Sequence, residues 1–213
     1  MARAGVHLVS TDEKTGIQAL ERTHESRPMI EAKVELREFE YIRHGTQALI
    51  ASFEVATGQI IASSVGPTRT EEDFARHIEA VIETAPEAGW IFIVDQLNTH
   101  KSETLVKMVV QHCGLEAELG VKGKSGILAS MPTRAAFLSS EAHRIRFVYT
   151  PKHTSWLNQI EIWFSVLVRK VLRRGNFVST EALKHRIEAF IAYFNRTMAR
   201  AYKWTYQGRP LQA

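Results

Sequence analysis

Residues 90–102 read WIFIVDQLNTHKS, from Trp90 to Ser102. An apolar run of five ends in an acid, and a polar turn follows. A run this short and continuous suits a strand covered on both faces. Asp95 is therefore delivered to the C-terminal end of a buried strand, where ordinary packing would not place a charge. Upstream, VHLVSTDEK from Val6 to Lys14 repeats the arrangement and predicts a strand over 6–11 ending at Asp12. Downstream, TPKHTSWLNQIEIWF from Thr150 to Phe164 sets Glu161 in an apolar helical stretch. The chain holds only three aspartates, Asp12, Asp73 and Asp95, and two of them stand at strand ends. Three carboxylates carried to one place by rigid elements make a site for hard divalent cations. Glu13 is a rival ligand beside Asp12. Asp73 reads as a helix cap.

Between these stretches the elements follow in order. Gln47 to Val55 and Gln59 to Val65 flank Ala56-Thr57-Gly58 and predict a hairpin. Thr70 to Asp73 fits a capping box, and Phe74, Ile78, Val81 and Ile82 follow at helical spacing. Ser102 caps a helix carrying Leu105, Val106, Val109 and Val110. Residues 113–142 lose this rhythm and read as an inserted surface loop. Gly123-Lys124-Ser125 within them is no phosphate loop, because Glu118 stands where the first glycine is needed. Ile145 to Tyr149 is a strand stopped by Pro151. Ser155 opens a long helix to about Arg174, ended by Gly175, and a last helix runs from about Thr180 to Arg196. The order predicts one α/β domain over 1–213, a mixed central sheet with helices on both faces.

The 213 residues are 45% hydrophobic and 23% charged, enough for one well-packed domain. No apolar run approaches a membrane span, the first residues form no signal peptide, and a single cysteine excludes an internal disulfide. A bacterial cytoplasmic location, on the nucleoid when DNA-bound, is the expectation. The net charge of +4 hides an asymmetry. From His143 onward thirteen Lys/Arg face three acids, a net of +10, and the remainder has 14 basic against 20 acidic residues, a net of −6. A basic final third on an acidic body fits a polyanion binder.

The segments YIRHGTQALIASFEVATG, VDQLNTHKS and TPKHTSWLNQIEIWFSVLVRKVLRRGNF resemble DDE transposases, specifically the bacterial insertion-sequence branch of the mariner superfamily. The likeness runs from about Val6 to Trp204. It implies a ribonuclease H-like fold, the catalytic triad Asp12, Asp95 and Glu161, and Mg²⁺ or Mn²⁺ as cofactor, with two ions held by those acids. It implies DNA cleavage and strand transfer on double-stranded DNA, transposon ends and target alike, and leaves a homodimer open. A nuclease that only hydrolyses and a non-catalytic DNA-binding remnant are the alternatives. Asp95 and Glu161 stand 66 positions apart, wider than usual there by about the length of 113–142. The helix-turn-helix modules that usually precede the first strand are expected to be absent. Asn98, His100 and Lys101 after the second acid, and Lys152, His153, Trp156 and Asn158 before the third, are candidate DNA contacts. Arg173 and Arg174 serve either the helix dipole or the DNA backbone. The aromatics from Tyr202 to Tyr206 either stack on bases or pack on the core.

Overall fold

A computed structural model of the chain describes residues 5–24, 29–31, 33–34, 40–151, 154 and 157–202. Its centre is a five-stranded sheet of β1 (Val6–Arg22), β2 (Tyr41–Glu54), β3 (Ile60–Gly66), β4 (Gly89–Val94) and β5 (Ile145–Tyr149), in the spatial order β3-β2-β1-β4-β5. β2 runs antiparallel to both of its neighbours, β1 and β3, while β4 and β5 run parallel to β1. This is the mixed sheet predicted.

The helices cover both faces. α1 (Glu71–Ile82), α2 (Glu103–Cys113) and α3 (Met131–Leu138) pack on Val9, Ile50, Phe92, Val94 and Phe147. α4 (Ile160–Leu167) and α5 (Thr180–Thr197) pack on Leu49, Ala51, Phe53 and Ile60. β2 shows why both layers form. Its alternate residues Leu49, Ala51 and Phe53 enter one core and Ile50 the other, so each face of one strand is apolar. Thr70 and Asp73 close the expected capping box on α1, and Ser102 accepts the Leu105 N–H at the start of α2.

Three expectations need correction. β1 does not stop at Thr11 but continues to Arg22, pairing with β2 from Val9 to Arg22 and with β4 only from Val6 to Ser10. The pairing register shifts between Lys14 and Ile17, where Gly16 takes a φ of 68°. A bulge there reverses the phase of the strand. Val9 belongs to one core, whereas Ile17 and Ala19 belong to the other. Residues 113–142 are not a bare loop either. They contain a 3₁₀ turn (Ile127–Ala129) and α3, and bury Leu128 and Leu138 in the core. The long helix opens only at Ile160 and passes at Val168 into a π-helical turn (Val168–Leu172). Its expected cap, Ser155, lies outside the described residues.

Tyr202 stacks on Phe53 with ring centroids 5.1 Å apart, so the tail starts by packing on the core. Residues 203–206 lie outside the described residues. Among the described residues no helix is long and apolar enough to cross a membrane.

Candidate active site

Parallel pairing sets the two aspartates side by side. Ser10 pairs with Ile93, and two steps further along each strand stand Asp12 and Asp95. β4 ends at Val94, so the β4 side of β1 loses its strand partner at that level. Asp12 is only 6% exposed in the resulting niche. Burial, aided by the negative charges of Asp95 and Glu13, pushes its carboxyl up to about 7, against the pull of the Glu13 N–H and His100.

The alternation of β1 sorts the neighbours of Asp12. Ser10 and Asp12 face α4, where Asn158 meets them. Its Nδ2 donates to Asp12 Oδ2 and to the Thr11 carbonyl, both at 3.2 Å. The Ser10 hydroxyl donates to Asn158 Oδ1 and accepts the Ile160 N–H at 2.9 Å. Asn158 is wholly buried. It therefore ties the start of α4 to β1 and is unavailable as the DNA contact expected from sequence. Glu161, part-exposed on the first turn of α4, donates its N–H to the Asn158 carbonyl at 3.1 Å. Asp12 and Asp95 thus stand near enough at one end of the sheet for their charges to interact, and the backbone of Glu161 follows Asn158, whose side chain holds Asp12.

Glu13 points to the opposite face, where it meets His100. Its Oε2 lies 3.1 Å from His100 Nε2, and His100 Nδ1 lies 2.8 Å from Asp95 Oδ1. His100 has no exposed surface. Burial alone would lower its pKa, but hydrogen bonds to Asp95 and Glu13 outweigh that and raise it to about 9. An imidazolium wedged between two carboxylates is a positioning group. It is the second expected DNA contact that the structure withdraws. Asp95 is the mirror case. Burial pushes its carboxyl up, but the His100 hydrogen bond, the Leu97 N–H and the charges of His100 and Lys101 leave it below the usual range.

Asn98 is exposed, and Lys101 is part-exposed, donates to Gln96 Oε1 and lies 4.7 Å from the Tyr149 ring centroid. Arg173 and Arg174 are exposed beyond the π-helical turn. Lys152, His153 and Trp156 lie outside the described residues. Sequence reasoning missed Arg134, almost fully buried on α3. It donates to the Lys101 carbonyl at 2.7 Å and the Leu128 carbonyl at 3.0 Å, holding the turn that follows Asp95. Its only signal was a lone arginine in the apolar helical segment MPTRAAFL.

Among the described residues no three His, Cys, Asp or Glu side chains converge closely enough to hold an ion. The donor chemistry nevertheless fits a hard cation. The acids are oxygen donors, and a divalent ion would compensate the burial and the neighbouring negative charges that raise Asp12.

Comparison with known proteins adds to this geometry. The family model for the DDE superfamily endonuclease matches residues 7–184. No curated protein matches the chain. Two solved structures share the fold. The Mos1 transposase paired-end complex with left transposon end superposes with a TM-score of 0.52 at 12% identity, over 87% of this chain and 47% of that one. The Mos1 transposase catalytic domain with Raltegravir and Mg gives a TM-score of 0.50 at 11% identity, over 87% of this chain and 70% of that one. The chain thus spans about half the length of the Mos1 chain in the paired-end complex.

Proposed function

Because this chain belongs to the DDE superfamily endonuclease family, a family that uses divalent metal, we propose that it is the catalytic domain of a mariner-superfamily DNA transposase, cutting DNA and joining a 3′-hydroxyl to a target. The observation that carries this reading is the level placement of Asp12 and Asp95 at the ends of neighbouring parallel strands, with Asn158, three positions before Glu161, bonded to Asp12. Asp12, Asp95 and Glu161 would hold two Mg²⁺ or Mn²⁺ ions, which supply charge stabilisation to the entering and leaving oxygens of a phosphodiester.

The chain's own residues do the rest. Asn158 fixes one oxygen of Asp12. His100 fixes Asp95 from behind, so that the carboxylate keeps its charge and its direction. Asn98 and Lys101, which follow Asp95, and Lys152, His153 and Trp156, which precede Glu161 in sequence, are assigned to the DNA backbone. Arg173 and Arg174 carry positive charge further along the substrate. The domain comprises the whole chain, with 113–142 supporting the Asp95 turn through Arg134.

The test is nicking of supercoiled plasmid with Mn²⁺, paired with joining of a 3′-hydroxyl oligonucleotide. Asp95→Asn is expected to abolish both while duplex affinity stays within about twofold, since a lost metal ligand removes the chemistry and leaves phosphate contacts intact. Wild-type nicking by the variant would remove Asp95 from the site. Nicking without joining would favour a nuclease that only hydrolyses, and binding without either a non-catalytic remnant.

A further inference from the structure

Glu161 of the candidate site lies at the start of α4, and a cluster of positive charge without ion-pair partners among the described residues lies beyond its far end. A cavity of about 460 Å³ opens where the π-helical turn meets α5, and Lys170, Arg174 and Arg186 line it without an acidic neighbour. A second cavity of about 280 Å³ shares Lys170, Val171 and Arg186 and runs on to Tyr193. The two form one groove. Among the described residues none of these three cations has an ion-pair partner. The acids of α5 are engaged elsewhere, since Glu181 and Glu188 flank His185 at 3.1 and 3.7 Å. Helical spacing explains the separation. Ala182, Arg186, Ala189 and Tyr193 share one stripe, while Glu181, His185 and Glu188 occupy the next.

The cavity between α1 and α2 makes the contrast. Arg76 and Lys107 line it together with Glu72 and Glu79, and each cation is further paired, with Asp73 and Glu103 respectively. Positive charge is compensated on that face and left open between α4 and α5. Three converging cations in a concave, water-accessible groove match phosphate oxygens, which accept several N–H donors at once.

We propose that the groove between the end of α4 and α5 is a second anchoring site for the phosphate backbone of duplex DNA, reading no bases and setting the substrate's distance from the carboxylates. The proposal rests on the nucleic-acid reading of the catalytic site. α4 gives the spacing, because Glu161 and the groove share its axis. Lys170 lies 9 positions beyond Glu161 on the helix and its π-helical continuation, roughly 14 Å at the rise of a helix, and Arg174 follows past the helix end. At about 3.4 Å per nucleotide step, the phosphate held by Lys170 falls about four base pairs from the one attacked.

Lys170 and Arg186 are both exposed, so K170Q/R186Q keeps the fold, checked by an unchanged melting temperature. Binding of the full chain to a 30-base-pair duplex is measured from 50 to 300 mM salt. Each lost phosphate contact lowers the log–log salt slope by about 0.9, so the slope should fall by about 2. The control R76Q/K107Q removes the same charge from the other face and should leave the slope unchanged. In plasmid nicking, K170Q/R186Q should raise the half-saturating DNA concentration and leave the saturated rate at the wild-type value. An unchanged slope in K170Q/R186Q, or an equal fall in the control, overturns the groove. Failure of the wild-type chain to bind duplex DNA even at 50 mM salt overturns the nucleic-acid reading itself, and the groove with it.

Discussion

His100 has the least freedom of any residue at the site. It is fully enclosed and bonded at both ring nitrogens to carboxylates that would otherwise repel each other. Replacing it by asparagine removes the charge that lies between Glu13 and Asp95. Breaking a buried ion pair costs about 3–5 kcal/mol, and the partial exposure of Asp95 puts this case at the low end. His100→Asn is therefore expected to lose about 3 kcal/mol in urea unfolding, and to nick DNA far more slowly well below its melting temperature. A folded variant with wild-type nicking would show that Asp95 needs no support. The sequence carried Asp12, Asp95 and Glu161 openly, because an acid at the end of an apolar run conflicts with burial. It did not reveal His100 and Asn158 as buried. Both lie in short turns between regular elements, where neither the period of a helix nor that of a strand tells inside from outside. For Asn158 one clue existed, since it precedes Glu161 by three positions and shares its helical face.

α3 shows how far an apparent insertion can enter a fold. Arg134 reaches from it to the carbonyls of Lys101 and Leu128, and its fork makes both bonds at once. Arg134→Met would leave two buried acceptors with one donor fewer each, at about 1–3 kcal/mol. We expect that loss in denaturant midpoint together with slower nicking, and no recovery in Arg134→Lys, whose single ammonium cannot span both carbonyls. A midpoint shift below about 0.5 kcal/mol would mean the turn is held by other contacts. The hairpin, the capped helices and the parallel strands were legible because each has a period or a cap. The second half of β1 was not. Past Ser10 it pairs only with β2, and the bulge at Gly16 interrupts the alternation before it can be recognised. The π-helical turn left no trace in a stretch whose apolar stripe continues undisturbed from Leu167 to Val171.

For the whole molecule, three buried groups shape the response to pH. His77 sits between Ser52 and Ser64, 2.9 Å from each, and burial holds it down at about 3. The unfolded chain protonates it below 6.5, so its contribution to stability falls as pH drops from 6.5 toward 3. Asp12 acts oppositely. Raised to about 7, it keeps a proton that the unfolded chain releases, and stability falls as pH rises from 3.8 to 7. The two offset each other between about pH 4 and 6.5. His100, raised to about 9, adds stability that is full below 6.5 and lost as pH rises through 9. The metal-free melting temperature should therefore vary little from pH 4.5 to 6.5 and fall from 6.5 to 9. His77→Gln should uncover a decline already below 6.5, and a curve parallel to wild type would contradict this account. Mg²⁺ or Mn²⁺ at a hundredfold excess over its dissociation constant should add roughly 2.7 kcal/mol. A melting temperature unmoved by metal would count against a site the folded chain can complete.

The two cores differ in how they can be assembled. The one beneath α1 and α2 draws most of its residues from the first 110 positions. The other joins Leu49, Ala51, Phe53 and Ile60 to a helix that begins only at Ile160. Phe177 likewise donates its N–H to the Leu20 carbonyl across most of the chain. A ribosome adding about 5–20 residues per second needs roughly 5–20 s to make the hundred residues that separate the strands from their cover. During that interval one face of a finished hairpin is greasy and bare. Every newly made copy therefore passes through a sticky phase on the ribosome, and crowded synthesis would turn this face toward other nascent chains before its own helices arrive.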